Sequence, residues 1–413
     1  MTPAAASSPA VPPRTAESLL LDAVGVLDRI ARGVSQLDAE IASHGAPERR
    51  RMLRHLLFTF FRRKKCIDAE LAGLFRRPTA PRLRFLLEAA ATQILFQHGI
   101  PPASVVNVAA EIAKRDHAAG FVNAVLRRIV LKRSASFPET AEALFPAPVL
   151  ERWRKRFDGE TLDAFARLWL AEPEFTFRLC RGENAPTEFD AEELPAFGEC
   201  RFFRASAAEV LHSELLRRGG VYIQDPATSL APSLVSEPGK IRSALDLCAA
   251  PGGKALILAE TLTAPGMRLV AADPSEKRQK LTRANFELRR HPVEIVTGDP
   301  ASIGGSFDLV LADVPCTNTG VFRHRPDALW RFSADVLRRT VARQREILRE
   351  AARLTAPGGT LVYSTCSIEP EENEELLADF TAGDPGFGVE ESRLLLPASG
   401  HDGAFAARLR RRR

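Results

Sequence analysis

The stretch ALDLCAAPGGK, residues 244–254, carries an apolar run into a Pro-Gly-Gly turn and a lysine. Four later segments share that build: RLVAADP (268–274), VEIVTGD (293–299), FDLVLADVP (307–315) and TLVYSTC (360–366). Each is a short, largely apolar run that stops near a carboxylate or a thiol. Among them lie amphipathic stretches, KALILAETL (254–262), KRQKLTRANFELRR (277–290) and the long ADVLRRTVARQREILREAARL (334–354). Strands that alternate with helices predict a parallel, doubly wound α/β sheet. Ligands of such sheets sit beyond the carboxyl ends of the strands, so the loops after these runs are where function is expected.

Outward from this region the pattern changes. From residue 15 to 140 apolar side chains recur at helical spacing, as in Leu20, Val24, Leu27 and Ala31 and in Leu83, Leu87, Ala90 and Ile94, which predicts an all-α bundle. Residues 141–215 mix helix-like ERWRKRF and TLDAFARLWL with strand-like FTFRLC and CRFFRA, and read as a small α+β connecting module. Residues 1–14, MTPAAASSPAVPPR, read as a disordered tail, and residues 216–413 as the α/β domain. The fold class is thus multi-domain: all-α bundle, α+β connector, α/β domain.

With 413 residues, 45% hydrophobic and 26% charged, the chain has material for two or three soluble domains. No apolar stretch is long enough to span a bilayer, and the N-terminus lacks the order of a secretory signal, so a cytoplasmic location without a membrane partner is expected. The cysteines, at 66, 180, 200, 248, 316 and 366, form no C-x-x-C pair, which argues against a zinc site or a disulfide framework. The net charge of +5 is uneven: residues 15–140 hold 20 Lys/Arg against 12 Asp/Glu, or +8. Their runs ERRRMLR (48–54), FRRKK (61–65) and NAVLRRIVLKR (123–133) are either solvated helix faces or a surface for nucleic-acid phosphates. The same two readings apply to RLRRRR (408–413).

The strand ends narrow the chemistry. Pro251, Gly252 and Gly253 allow close backbone approach to a ligand, but their spacing fits neither the dinucleotide nor the nucleoside-triphosphate fingerprint. Asp273 stands about twenty residues on, where a carboxylate can accept from both ribose hydroxyls, and Asp299 follows at the third strand end. Either aspartate could instead cap a helix, with Pro274 and Pro300 at the first helical position. The series suggests an adenosine-bearing cofactor that needs no phosphate. Cys66, Cys180, Cys200 and Cys248 read as small buried hydrophobes. Cys316 and Cys366, at neighbouring strand ends with Asp313, read as chemistry. A thiolate that adds to C6 of a pyrimidine makes C5 nucleophilic enough to accept a methyl group, and a second thiol can assist release. Glu371, Glu372 and Glu374 after Pro370 read as helix-starting residues, and Asn373 as a local structural contact.

ALDLCAAPGGK, DPSEKRQKL (273–281), GDP (298–300), DVPCTNTGVFRHRPDALW (313–330) and VYSTCSIEPEENE (362–374) resemble, in order and spacing, the S-adenosylmethionine-dependent RNA cytosine-5 methyltransferases. The likeness extends to VYIQDPATSLAPSLV (221–235) and GHDGAFAARLRR (400–411). EIAKRDHAAGFVNAVLRRI (111–129) resembles the NusB-like RNA-binding domain, and that domain fused to this catalytic unit is similar to the bacterial ribosomal RNA small subunit methyltransferase B family, also called Sun or Fmu. The resemblance implies a NusB-like bundle, an RRM-like connector and a Rossmann-like catalytic domain. It further implies S-adenosyl-L-methionine as cofactor, no metal, and RNA rather than DNA as partner. The expected product is 5-methylcytosine in small-subunit ribosomal RNA, made by a monomer.

Carried over by residue, the resemblance makes Cys366 the nucleophile, gives Cys316 product release and has Asp313 hydrogen-bond the cytosine and border the cofactor. Cys248, Ala249, Ala250, Pro251, Gly252, Gly253 and Lys254 would wrap the methionine and ribose, Asp273 the ribose hydroxyls and Asp299 the adenine amino group, with Arg278 nearby. Four places depart from the family pattern. Asn318 stands where glycine is usual, Ala255 where threonine is usual, Ala404 where an aromatic is usual, and FTFRLCRGEN (175–184) where an Arg-Val-Asn run is typical. The alternatives are the same chemistry on transfer RNA or another RNA, and a catalytically inactive RNA-binding or assembly factor.

Overall fold

The computed structural model describes residues 13–34, 36–75 and 78–413. Residues 1–12 of the expected tail lie outside the described residues, whereas Pro13 and Arg14 already belong to a helix. Packing divides the chain into two compact units. One runs to Leu170 and includes Arg325–Arg331; the other comprises Ala171–His324 and Phe332–Arg413.

The first unit is helical: α1 (Pro13–Ala31), α2 (Leu37–Ala42), α3 (Pro47–Ala72), α4 (Pro81–Phe96), α5 (Pro102–Ala113), α6 (Ala119–Val130), α7 (Ala141–Leu144), α8 (Ala147–Trp153) and α9 (Gly159–Leu170). Pro47, Pro81 and Pro102 open α3, α4 and α5, where the fixed φ suits the first turn and the missing N–H has no partner to lose. Leu20, Leu27, Leu87, Ala90 and Ile94 of the predicted apolar faces enter one core with Leu56 and Phe60 of α3 and Leu126 of α6. The boundary drawn at residue 140 falls ahead of three helices that pack here. Phe145, Trp153, Phe165 and Trp169 form an edge-to-face cluster, and Trp169 Nε1 donates to the Arg62 carbonyl at 2.8 Å. Such rings bury large apolar areas and hold those helices to α3 rather than to the strands that follow.

The second unit contains two sheets. The smaller joins β1 (Thr176–Leu179), β2 (Ala191–Leu194), β3 (Arg201–Ala205) and β4 (Val221–Ile223) in the antiparallel order β2-β3-β1-β4, with short helices α10 (Ala207–His212) and α11 (Glu214–Arg217) between β3 and β4. Its last strand thus lies beyond the boundary expected at residue 215. After α12 (Leu230–Ser233) come β5 (Ser243–Asp246), α13 (Gly253–Thr261), β6 (Arg268–Asp273), α14 (Glu276–Arg289), β7 (Glu294–Thr297) and β8 (Phe307–Asp313). Next are α15 (Asp327–Arg331), α16 (Ala334–Leu354), β9 (Thr355–Thr365), α17 (Glu374–Gly383), β10 (Phe387–Leu395) and β11 (Ala404–Arg411). Arg178 of β1 and Glu260 of α13, both buried, pair through two hydrogen bonds and tie the small sheet to the large one.

The large sheet runs β10-β11-β9-β8-β5-β6-β7. From β7 to β9 it is parallel, as the alternation predicted, and β11 and β10 extend it antiparallel at the β9 edge. Because β5 pairs with both β6 and β8, the strand order reverses beside it, and a crevice opens where the loops after β5 and β8 diverge.

Although it lies far along the sequence, α15 packs with the first unit. Trp330 Nε1 donates to the Phe61 carbonyl at 2.7 Å, and the Lys64 ammonium sits 5.4 Å from the Trp330 ring.

Candidate functional site

Register places the two thiols. β8 and β9 are parallel neighbours with Asp313 opposite Ser364, so the loops that leave them start side by side. Cys316 Sγ and Cys366 Sγ lie 3.1 Å apart. Gly320 locks the arrangement: its N–H donates to the Cys366 carbonyl at 3.0 Å, and an added Cβ would stand 2.8 Å from that oxygen and 2.7 Å from the Gly403 carbonyl. Only glycine fits where three backbone segments meet. The adjacent sulfur first, and burial second, push the Cys316 thiol well above its ordinary value, so Cys316 holds its proton as a donor toward Cys366.

Asn318, in the same loop, has φ +62°. Asparagine tolerates this left-handed conformation, so the loop keeps the bend glycine would give it. Its side chain meets both thiol residues: Nδ2 donates to the Cys316 carbonyl at 2.9 Å, and Oδ1 accepts from Cys366 Sγ at 3.2 Å.

Behind the thiols Glu372 acts as a buried hub. Its carboxylate accepts from the Thr317 N–H at 2.8 Å, from Gln344 Nε2 at 3.0 Å, and from the Thr317 and Ser367 hydroxyls. Sequence reasoning took Glu372 for a helix-starting residue, but only a 3-10 turn, Pro370–Glu372, forms there and α17 starts at Glu374. The expected contact at Asn373 is present: it accepts from Thr365 Oγ1 at 2.7 Å and donates to the Ser367 carbonyl at 2.9 Å.

Asp313 connects the thiols to a cavity of about 280 Å³. Its oxygens accept from Ser364 Oγ at 3.1 Å and Lys254 Nζ at 2.6 Å. Burial opposes the Lys254 ammonium, but Asp313, Asp246 and the Cys366 sulfur outweigh it and raise its pKa. The cavity wall includes Cys248, Ala249, Ala250, Pro251, Gly253, Lys254 and Asp313 from the predicted set, with Tyr222, Ile223, Gln224, Asp225, Thr228 and Asp246. Burial pushes the Cys248 thiol up strongly, in keeping with a neutral wall group.

Asp246 went unremarked in the sequence, although a carboxylate inside the apolar ALDLC run was a signal. It is 1% exposed, and among the described residues only the Cys248 N–H approaches its carboxylate, too loosely to make a full hydrogen bond. Burial first and Asp313 second push it up to about 7.

Gly252, Asp273, Arg278 and Asp299 are not among the described residues of the wall. Gly252, at φ +104°, makes the turn into α13. Asp273 is buried and braces the turn, accepting from the Ala250 N–H at 3.3 Å and the Ser275 N–H at 2.9 Å. Arg278 pairs with Asp273 at 3.1 Å and donates to the Ala250 carbonyl. Asp299 takes the capping alternative: it accepts from the Ala301 N–H at 3.1 Å, and Arg343 pairs with it at 3.2 Å on the surface.

A third cluster also escaped sequence reasoning. Asp402 donates its N–H to Asp225 Oδ1 at 3.0 Å, and its carboxylate lies 2.8 Å from His324 Nδ1. Burial and then Asp402 push Asp225 up to about 6; burial opposes the His324 imidazolium, but Asp402 raises it overall. The signal was that all three lie within the segments that carry the family resemblance.

The sequence pattern described as 16S rRNA methyltransferase RsmB/F matches residues 233–410, and the NusB family pattern matches residues 25–131. The ribosomal RNA small subunit methyltransferase B of Thermus thermophilus is 32% identical over 94% of this chain and 96% of its own length. The chain belongs to the ribosomal RNA small subunit methyltransferase B family. The same-named protein of Shewanella oneidensis is 28% identical over 88% of this chain and 89% of its own. Among solved structures, PH0851 superposes with a TM-score of 0.74 at 23% identity, covering 97% of this chain and 99% of that one. NSun6 from Pyrococcus horikoshii, solved with SFG, gives 0.56 at 18% identity over 65% and 99%. Both share the fold. Membership in the family makes the chain a methyltransferase with a NusB-like helical domain and a Rossmann-like domain.

S-adenosylmethionine is the methyl donor of such enzymes, and the residues present fit it. The unpartnered Asp246 carboxylate is suited to a cationic ligand, whose charge would offset the desolvation that now favours its protonated form.

Proposed function

We propose that this protein uses S-adenosylmethionine to make 5-methylcytosine in small-subunit ribosomal RNA, through a covalent bond between Cys366 and cytosine C6. The observation that carries this reading is the 3.1 Å approach of two thiols at adjacent strand ends, beside the Lys254–Asp313 pair. The names of the curated relatives supply the ribosomal substrate.

In this reading a flipped cytosine enters between the two loops. The Cys366 thiolate adds to C6, and the C5–C6 π pair moves to C5 and into conjugation with C4=N3 of the ring, which Asp313 and Lys254 hold by its polar edge. C5 thereby becomes a carbon nucleophile. The cofactor contributes a methyl group on positively charged sulfur. Afterwards Cys316, to which release is assigned, passes its proton to the departing Cys366 sulfur and takes the C5 proton in its place, while the C–H pair rebuilds C5=C6. Asp246 and the Cys248–Lys254 turn hold the donor, and Asp273 fixes that turn from behind.

The test uses purified protein, tritiated S-adenosylmethionine and ribosomal RNA from cells lacking the gene, with the product located by bisulfite sequencing. Label at one small-subunit cytosine is expected. Cys366→Ala should abolish label while retaining RNA binding, and Cys316→Ala should accumulate a protein–RNA adduct that survives a denaturing gel. Normal turnover by Cys316→Ala would refute the division of labour, and label confined to transfer RNA would keep the chemistry and replace the substrate.

A further inference from the structure

This chain places an amide beside its two thiol residues, and the contacts of that amide fix which way it points. Only an N–H can satisfy the Cys316 carbonyl at 2.9 Å, so Oδ1 must face Cys366 at 3.2 Å. A carbonyl oxygen accepts a hydrogen bond from a thiol but has nothing to offer a thiolate. The amide could serve a thiolate only by turning over, which would set Oδ1 against the Cys316 carbonyl. The backbone gives no relief, since φ +62° and the Gly320 contacts with Cys366 and Gly403 hold the loop in place.

We infer that Asn318 is a positioning residue that latches Cys366 in its protonated resting form. This rests on the reading of Cys366 as nucleophile. The chain of donors runs from Cys316 S–H to Cys366 Sγ and from Cys366 S–H to Asn318 Oδ1. Activation breaks the second bond and keeps the first: the Cys366 proton passes to solvent water, and Cys316 remains to donate to the thiolate. The other titratable groups around the pair are Lys254 on α13, Asp313 at the end of β8, and Tyr363 and Glu372 on and after β9. None of these is altered by a change at position 318.

The experiment is the alkylation rate of Cys366 by iodoacetamide in the full chain, resolved by peptide mass spectrometry from pH 6 to 10. Asn318→Gly tolerates the positive φ and removes the acceptor. Cys366 should then react roughly fivefold faster at neutral pH, the worth of one lost hydrogen bond, with the midpoint of its pH profile moved down. Asn318→Asp keeps the shape, adds negative charge and should move rate and midpoint the opposite way. Unchanged rate and midpoint in Asn318→Gly would overturn the inference. So would faster reaction in Asn318→Gly with Asn318→Asp unchanged, which would make Asn318 a mere steric shield. Because alkylation reads the thiol itself, its outcome is separate from that of the methylation assay on Cys366→Ala, which tests the nucleophile.

Discussion

At the scale of single residues, Asp246 sets function against stability. Its pKa in the folded chain is about 7, against an ordinary 3.8. A raised carboxyl pKa favours folding fully below the ordinary value, and that contribution is lost as pH climbs to the folded one. Asp246→Asn has no proton to lose. Its thermal midpoint relative to the wild type should therefore rise between pH 4 and pH 8, by up to something on the order of 4 kcal/mol in stability, while affinity for S-adenosylmethionine falls. Calorimetry across that range decides the matter, and a gap that stays constant with pH would show that Asp246 is not protonated on folding. Of the site residues, Cys316 and Cys366 were expected at neighbouring strand ends with Asp313 and lie there, whereas the Lys254–Asp313 pair was not foreseen. Asp299 carried two readings, because a carboxylate before proline looks the same whether it waits for a ligand or caps a turn, and the capping contact is present.

Among elements, the decisive fact is that β8 and β9 start their loops in register and Glu372 fastens those loops from behind. Glu372→Gln leaves one carbonyl oxygen where a carboxylate met four donors. An unpaired buried donor costs about 1–3 kcal/mol, so the variant should unfold at lower denaturant and lose activity together. Wild-type stability in urea with lost activity would move Glu372 from the framework into the chemistry. The strands were readable from their apolar runs and the helices from their spacing. The boundaries at residues 140 and 215 were not. Phe145, Trp153 and Trp169 belong to a helical core that begins more than a hundred residues earlier, and local pattern carries no information about such partners. The antiparallel β10 and β11 escaped for a related reason: β11 joins the sheet beside β9, a pairing set by tertiary contact rather than by alternation with helices.

For the molecule as a whole, charge and connectivity matter most. The net +8 of residues 15–140 gives the proposed RNA complex an electrostatic component. If four phosphates are neutralised, affinity should fall about 100-fold between 50 and 200 mM salt. Filter binding with ribosomal RNA measures this, and a flat response would return the basic runs to solvated faces. Connectivity adds a temporal consequence. The helical unit takes α15 from far downstream, with Trp330 reaching the Phe61 carbonyl. A nascent chain emerges from its N-terminus, so helices α1–α9 are synthesised well before the piece that finishes their core. Strands β1 to β8 must leave the ribosome first. The first unit begun therefore stays incomplete while most of the second is made, and its closure waits on translation through Arg331.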